Sequence, residues 1–168
     1  MGAGRDERAF VRAAQRGSAS GIEALFRLHW PSAYRAAFLV VHDSGAAEDI
    51  AQESFLAAVR NLDRFDRRRP FGPWLHRIVV NRAIDWSRAR ALRPEAEQVD
   101  APAPERPEHD DELLRELGRL SPEHRAVIVL RYLLDYTPGE ISELLGLPRG
   151  TVNSRLRRGL DSLKERLE

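Results

Sequence analysis

The 168-residue sequence contains no cysteine. This absence excludes disulfides, thiolate metal sites and cysteine nucleophiles. Long apolar runs are also missing, since the longest, residues 36–41, has six residues, whereas a membrane-spanning helix needs roughly 18. The N-terminal residues lack the apolar core of a secretion signal. We therefore expect a cytoplasmic protein without membrane insertion.

Catalytic patterns are scarce, and no helical His–Glu pair, paired carboxylates or glycine-rich phosphate loop is found. The histidines are scattered along the chain, at His29, His42, His76, His109 and His124. The sequence thus predicts no enzyme, no metal site and no cofactor. Apolar residues recur mostly at helical spacing, which predicts an all-α fold. We expect Pro31 to kink or split the second helix, Ser44 to cap the third, and Leu56 to belong to the third helix's apolar positions.

The net charge of +1 averages over very unequal segments. Residues 64–93 carry nine arginines and two acidic residues, whereas residues 93–112 carry eight acidic residues, two arginines and four prolines. An acidic, proline-rich composition with almost no large apolar residue predicts an extended, disordered linker. We therefore divide the chain into a helical domain over 6–92, a flexible linker over 93–110 and a smaller helical domain over 111–167.

Residues 137–163 predict two helices joined by a tight turn. Thr137 can cap the first helix, and Glu140 completes a capping box. Gly146 suits the left-handed conformation in which a helix ends. The second helix has an apolar seam that can pack on the first, formed by Val152, Leu156, Leu160 and Leu163. This arrangement is a helix-turn-helix, whose second helix can enter the major groove of DNA.

The outer face of that second helix carries residue types that bond to base edges and phosphates. Residues 147–166 hold six basic and two acidic residues, a bias that phosphate binding requires and a solvated helix does not. The predicted duplex-binding residues are Arg149, Thr151, Asn153, Ser154, Arg155, Arg157 and Arg158. The alternative is an ordinary helix corner whose arginines are solvated surface.

The basic segment 64–93 also contains four aromatic rings. Arginines interleaved with aromatics suit single-stranded nucleic acid, because unstacked bases pack on rings and phosphates meet arginine. The predicted single-strand contacts are Phe65, Arg67, Arg68, Trp74, Arg77, Asn81 and Arg88. Simple core packing is the alternative for Trp74 and, more strongly, for Trp86.

Three stretches occur in a fixed order: AEDIAQESF at 47–55, PFGPWLHRIVVNRAID at 70–85, and LSPEHR at 120–125 followed by GTVNSRL at 150–156. They resemble conserved regions 2.2, 2.3–2.4 and 4 of bacterial RNA polymerase sigma factors of the small extracytoplasmic-function (ECF) group. With the linker, the resemblance covers nearly the whole chain.

The resemblance implies a promoter-specificity subunit that binds core RNA polymerase, directs it to −35 and −10 promoter DNA and promotes strand opening. It implies core-polymerase contacts at Asp49, Gln52 and Glu53, whose spacing places them on one helix face, beside apolar Ile50 and Phe55. An anti-sigma factor is a further expected partner, by family analogy alone.

Two features depart from the family pattern, namely Asn153 and the Pro138–Gly139 pair, which is tolerable at the start of the first helix but leaves its first turn loose. Asn153 stands where Lys or Arg is common, and asparagine favours adenine over guanine or phosphate. Two other classes of protein compete with a sigma factor. A free-standing helix-turn-helix regulator would bind duplex DNA without polymerase, and a helical nuclease or hydrolase would need the catalytic site that the sequence lacks.

Overall fold

The computed structural model describes residues 3–93 and 108–168. Those two ranges contain helices and turns but no β-strand, which confirms the all-α prediction for them, as well as the arrangement in two helical units. The helices are α1 (Ala3–Gln15), α2 (Ala19–Val41), α3 (Ser44–Arg60), α4 (Phe71–Ala91), α5 (Glu108–Arg119), α6 (Pro122–Ile128), α7 (Pro138–Leu145) and α8 (Arg149–Leu167). A 3₁₀ turn, Leu62–Arg64, precedes α4, and a π-helical turn, Val129–Leu133, continues α6. We call residues 3–93 the N-terminal unit and residues 108–168 the C-terminal unit.

The predicted linker falls mostly on residues 94–107, which lie outside the described residues. Its C-terminal end differs from the prediction, because α5 begins at Glu108 and residues 108–110 are helical. Acidic residues are favourable at a helix N-terminus, so an acidic composition does not distinguish the end of a linker from the first turn of a helix. The proposed domain boundaries stay a prediction.

Helix α2 is the centre of the N-terminal unit and packs on α1, α3 and α4. Leu25, Ala36 and Val40 on this helix are fully buried. The helix runs without a break although Pro31 lies inside it, so the predicted split does not occur. A proline removes one backbone hydrogen bond, and burial of the helix between three neighbours offsets that loss.

The cap of α3 is Asp43 rather than the predicted Ser44. The Asp43 carboxylate accepts a hydrogen bond from the backbone N of Ala46 at 2.9 Å, and Ser44 is the first residue of the helix. A carboxylate at this position also faces the positive end of the helix dipole. The prediction was therefore wrong by one residue.

The helix-turn-helix of the C-terminal unit forms as predicted. Thr137 accepts a hydrogen bond from the backbone N of Glu140, and the Glu140 carboxylate accepts one in return from the backbone N of Thr137 at 2.7 Å. Helix α7 then ends at Gly146 with φ of 64°, in the left-handed region. The capping box and the glycine were therefore sufficient to predict this helix-turn-helix from the sequence.

The apolar seam of α8 differs at one position. Three of its four predicted residues are buried, but Leu160 is 37 % exposed. Gly159 takes the inward position instead, because it lies seven residues, or about two full turns, after Val152. A Cβ on Gly159 would lie 2.7 Å from Cδ1 of Ile128. A glycine therefore permits the close packing of α8 on α6.

One buried arginine joins the two units. The Arg125 side chain donates hydrogen bonds to the carbonyl oxygen of Val40 at the end of α2 and to three carbonyl oxygens at the end of α5. These three carbonyls belong to Leu117 and Gly118 in the last turn of α5 and to Leu120 just after it, each at 2.8 Å. Carbonyls in the last turn of a helix lack helical partners and carry the negative end of the dipole. The cation thus satisfies two helix ends at once, although burial lowers its pKa to about 10.

A histidine forms the second tie between the units. Ser32 donates its hydroxyl proton to the His29 carbonyl oxygen at 3.1 Å, so it accepts from Nε2–H of His76 at 3.0 Å. Nδ1 of His76 then accepts from the hydroxyl of Tyr136 in the C-terminal unit at 2.7 Å. This pattern requires neutral imidazole, and burial lowers the pKa of His76 to about 4.

Candidate polymerase and nucleic-acid interfaces

Helix α3 presents a polar stripe to the solvent. Asp49, Gln52 and Glu53 are all exposed and lie on one face. Leu56, which the sequence pattern assigns to the apolar side, is 45 % exposed and extends this face by one turn. Ile50, about 100° around the helix from Asp49, is buried. We call the four exposed residues Asp49, Gln52, Glu53 and Leu56 the α3 stripe.

An apolar cleft of about 430 Å³ lies beside the α3 stripe, between α2 and α3. Ile22 and Phe26 of α2 line it together with Phe55 and Leu56 of α3. Phe55 is otherwise buried and packs edge-on against Phe26, with ring centroids 5.1 Å apart. The exposed apolar partner of the acidic face is therefore Leu56, and not Ile50 or Phe55 as expected. An apolar cleft bordered by carboxylates suits a partner helix with apolar and basic side chains.

Residues 61–70 form the basic loop that connects α3 to α4. Asp66 organises this loop, because its Oδ1 accepts from both the backbone N and Nε of Arg68 at 3.0 Å. These hydrogen bonds lower the pKa of Asp66 to about 2. Arg67 is exposed and forms no ion pair with any of the described residues. Of the two predicted arginines of the loop, Arg68 is thus bound to Asp66, whereas Arg67 has no ion pair with a described residue.

Phe65 lies in the core, although the sequence suggests a surface for stacking bases. Its side chain is 8 % exposed, with its ring centroid 4.8 Å from Trp74 and 5.7 Å from Phe71. Burying a large aromatic stabilises a loop by about 1.5–3 kcal/mol, which explains why the ring turns inward. Trp74 is half-buried and is the ring of this cluster that offers a partly open surface.

The outer face of α4 holds the remaining predicted single-strand contacts. Arg77 and Arg88 are exposed and Asn81 is half-buried. Arg88 donates through Nε to Glu123 of the C-terminal unit at 2.6 Å. Although burial of Glu123 acts the other way, the hydrogen bond from Arg88 and the positive charges of Arg88 and Arg155 lower the pKa of that carboxyl. Arg88, a predicted DNA-contacting residue, is therefore already bound to an acidic residue of the other unit.

A cleft of about 530 Å³ separates the basic loop from α7. Its walls have opposite charge: the N-terminal unit contributes three arginines and the C-terminal unit two glutamates. These residues are Arg64, Arg69, Arg77, Glu140 and Glu143, and Asp66 is the single acidic residue on the wall of the N-terminal unit. In this arrangement the predicted single-strand surface faces the first helix of the helix-turn-helix.

The predicted duplex-binding residues lie together on the N-terminal half of α8. Four of them are exposed, namely Arg149, Asn153, Arg157 and Arg158, and three are half-buried, namely Thr151, Ser154 and Arg155. The three exposed arginines form no ion pair with any described residue. This face is therefore open to a duplex.

Sequence reasoning missed two residues of these surfaces. Leu56 could have been found by its spacing from Asp49 and Glu53, which continues their face by a further turn. Glu123 gave no signal, since it lies 35 residues from Arg88 in a helix with an ordinary serine cap. Within residues 3–93 and 108–168, no group of His, Asp and Glu side chains is arranged to hold a metal ion.

None of the helices in the described ranges is long and apolar enough to cross a membrane. The family model for Sigma-70 region 2 matches residues 25–93, and the model for Sigma-70, region 4 matches residues 110–163. Together these matches take in the α3 stripe, the basic loop, α4 and α8. Apart from Ile22 at the edge of the apolar cleft, the residues named for these surfaces therefore lie in the two regions that define this class of transcription factor.

Comparison with curated relatives shows which group of this class the chain belongs to. The ECF RNA polymerase sigma factor SigW of Bacillus subtilis (strain 168) is 30 % identical over 94 % of each chain. The RNA polymerase sigma factor CarQ of Myxococcus xanthus is 32 % identical over 90 % of this chain and 91 % of that protein. The chain therefore belongs to the ECF group of RNA polymerase sigma factors. It is a promoter-specificity subunit, in a family of non-catalytic initiation factors, and the free-standing regulator is not favoured.

Solved structures agree with this assignment. CnrH, determined in complex with the cytosolic domain of CnrY, has a TM-score of 0.74 and 27 % identity, with 96 % of each chain covered. RpoE of Bartonella quintana, determined with the anti-sigma factor NepR, has a TM-score of 0.74 and 21 % identity, with 86 % of this chain and 95 % of that chain covered. The second likeness concerns the fold alone.

Proposed function

We propose that this sigma factor binds core RNA polymerase through the α3 stripe, reads the −35 element with α8 and captures the −10 strand with the basic loop and α4. The observation that carries the first assignment is the exposed stripe itself. It places two carboxylates, an amide and an exposed leucine beside an apolar cleft. Apolar surface rimmed by charge is typical of a docking site for another protein.

The acidic residues of the stripe are free to change partners. Glu53 pairs with Arg82 of α4 at 3.3 Å, and their side chains are 65 % and 44 % exposed. Exposed ion pairs are worth about 0–1 kcal/mol, so a basic helix of polymerase can replace Arg82 at little cost. Asp49 forms no ion pair within the described residues.

Base stacking on the protein can offset the stacking energy that is lost when a short DNA segment opens. Opening DNA loses about 1.4 kcal/mol of stacking per base step, and stacking one base on an aromatic ring returns about 1–3 kcal/mol. One or two bases held by Trp74 and Asn81 therefore offset a short melted segment, and polymerase supplies the remainder. On α8, Asn153 can form two hydrogen bonds with adenine in the major groove.

We further propose control by an anti-sigma factor. An apolar groove of about 320 Å³ lies between α2 and the C-terminal unit, with Leu113, Tyr132 and Leu160 exposed among its lining residues. CnrH was determined with a second chain, the cytosolic domain of CnrY, which supports partner binding by this fold. A cytoplasmic location and a lack of catalytic activity follow from the proposed role.

Charge reversal tests the polymerase interface. Asp49→Arg combined with Glu53→Arg should weaken binding to purified core polymerase by about a hundredfold, since several close charge contacts become repulsive. Helicity and thermal unfolding should stay nearly unchanged, because both side chains are exposed. The measurement is binding of the full-length protein to core polymerase, with circular dichroism alongside.

The matched control is Asp6→Arg with Glu48→Arg. It makes the same change in charge at two exposed positions, and Glu48 lies about 100° around the helix from Asp49. This control should bind core polymerase like the wild type. Equal loss in both double variants, or wild-type binding by the Asp49/Glu53 variant, contradicts the assignment.

A further inference from the structure

Helix α1 lies outside the ranges that the family models match, which begin at residue 25. It packs closely on α2 at Gly21, where a Cβ would lie 2.7 Å from the backbone N of Ala14. Val11 and Ala14 are its buried apolar residues, so its share of the core is small. Its polar side chains instead reach both ends of the basic loop.

Gln15 holds the beginning of the loop. Its Nε2 donates to the carbonyl oxygen of Leu62 at 3.0 Å and to that of Phe65 at 3.1 Å. The backbone N of Phe65 also donates to the Leu62 carbonyl at 3.1 Å, so one amide binds both ends of the same turn. Directly after this turn the chain carries Arg67 and Arg68.

Glu7 holds the end of the loop. One carboxylate oxygen accepts from Nε2 of His29 at 2.7 Å, and the other accepts from the backbone N of Phe71 at 3.4 Å. Phe71 begins α4, and the preceding Pro70 has no side chain that can cap a helix. The Glu7 carboxylate takes the place of that cap and faces the positive end of the helix dipole.

The two contacts come from one face of α1. Glu7, Val11 and Gln15 recur every four residues, so the face spans the loop from its first turn to the start of α4. We propose that α1 is a strap that positions the basic loop for strand capture, with Gln15 and Glu7 as positioning residues. The proposal rests on the proposed function of that loop.

The benefit of the strap is preorganisation. A loop that is already ordered loses less conformational entropy when a strand binds. Fixing the backbone of Phe65 also fixes its ring against Trp74, whose partly open surface is the proposed stacking platform. Loosening the strap should therefore slow strand capture and leave the α3 stripe and α8 unaffected.

The test is Gln15→Leu in the full-length protein with core polymerase, because leucine keeps the size and removes both donors. We expect open-complex formation on a duplex promoter to slow about tenfold from lost preorganisation. Core binding should stay unchanged, and a template with its −10 segment already unpaired should restore activity. A role in folding alone would lower activity equally on both templates. Arg16→Gln, at the adjacent exposed position, should behave like the wild type.

Wild-type opening of the duplex by Gln15→Leu, or equal loss on both templates, overturns the strap. Trp74→Ala and Asn81→Ala separate this failure from failure of the proposed function, because normal opening by those variants would mean that the loop and α4 do not capture the strand at all. If Gln15→Leu does not fold, Glu7→Gln carries the test. It should show the same loss confined to the duplex template, and wild-type opening by this variant overturns the proposal.

Discussion

The two DNA-binding surfaces differ in how far their side chains are already engaged within the protein. On α8, the exposed arginines form no ion pair with described residues; they are Arg149, Arg157 and Arg158. On the N-terminal unit, Arg68 is bound to Asp66 and Arg88 to Glu123. The ring of Phe65 is buried as well. The α8 surface is open, and the surface of the N-terminal unit is partly held by contacts within the chain, since Arg68 and Arg88 are bound whereas Arg67 is not.

This difference follows the state of the DNA that each surface meets. A duplex groove presents a fixed pattern of donors and acceptors, so a rigid helix can read it without rearrangement. A melted strand exists only after the base pairs part, and its phosphates must then replace the carboxylates that the arginines already bind. We therefore expect duplex recognition to be insensitive to the contact between the two units and strand capture to depend on it.

The strongest way to break this contact is Arg125→Met. Four carbonyl oxygens lose their donor, and hydrogen bonds to a charged group contribute about 1.5–3 kcal/mol each. After burial of the methionine is allowed for, we expect the free energy of unfolding to fall by about 4 kcal/mol, measured by urea denaturation. Arg27→Met is the control, because the Arg27 side chain is 78 % exposed and its ion pair is worth about 0.5 kcal/mol or less. A similar, small loss in both variants would show that Arg125 does not join the units.

Acid should loosen the same contact. The pKa of His76 falls from 6.5 to about 4 in the folded protein because of burial, so the unfolded chain binds the additional proton between these values. Neutral His76 therefore contributes its full stabilisation of the folded protein above pH 6.5. The free energy of unfolding falls by about 3 kcal/mol as the pH is lowered to about 4. Denaturation at a series of pH values measures it. The His76→Gln variant should show a shallower dependence, and an unchanged slope would rule out His76 as its source.

How much the sequence predicted depended on the distance between the interacting residues. The capping box of Thr137 and Glu140 and the end of α7 at Gly146 rest on local rules, and both were correct. The hydrogen bond from Arg125 to the Val40 carbonyl joins residues 85 positions apart. No sequence pattern predicts that a backbone carbonyl will be the partner of a given side chain. Periodicity can place a residue on a face but cannot say which element covers that face. The burial of Phe65 escaped prediction for this reason, whereas the spacing of Leu56 from Asp49 and Glu53 could have predicted its exposure.

A pair of substitutions sharpens the division between the surfaces. Arg158→Ala should weaken binding to the upstream duplex element by about 1–3 kcal/mol if it reads a base, and a pre-melted −10 segment should not restore that loss. Asn81→Ala should leave upstream binding intact and fail in strand opening, and the pre-melted template should restore much of the activity. Transcription with core polymerase on matched duplex and pre-melted templates measures both. Equal rescue of the two variants, or of neither, would contradict the division.

The smallest expected effect concerns Glu123, the acidic residue that accepts a hydrogen bond from Arg88. Glu123→Gln keeps the shape of the contact and removes its charge, and the Arg88 side chain is 54 % exposed, so the pair is worth about 0.5–1 kcal/mol. A single-stranded −10 oligonucleotide should therefore bind the free protein about two- to fivefold more tightly in this variant. Binding of a −35 duplex is the internal control. It should change less, because Glu123 makes its hydrogen bond with α4 and meets Arg155 of α8 only through its charge. An equal gain for both DNAs would point instead to general attraction by the lost negative charge, and the proposed competition between Glu123 and the strand would then fail.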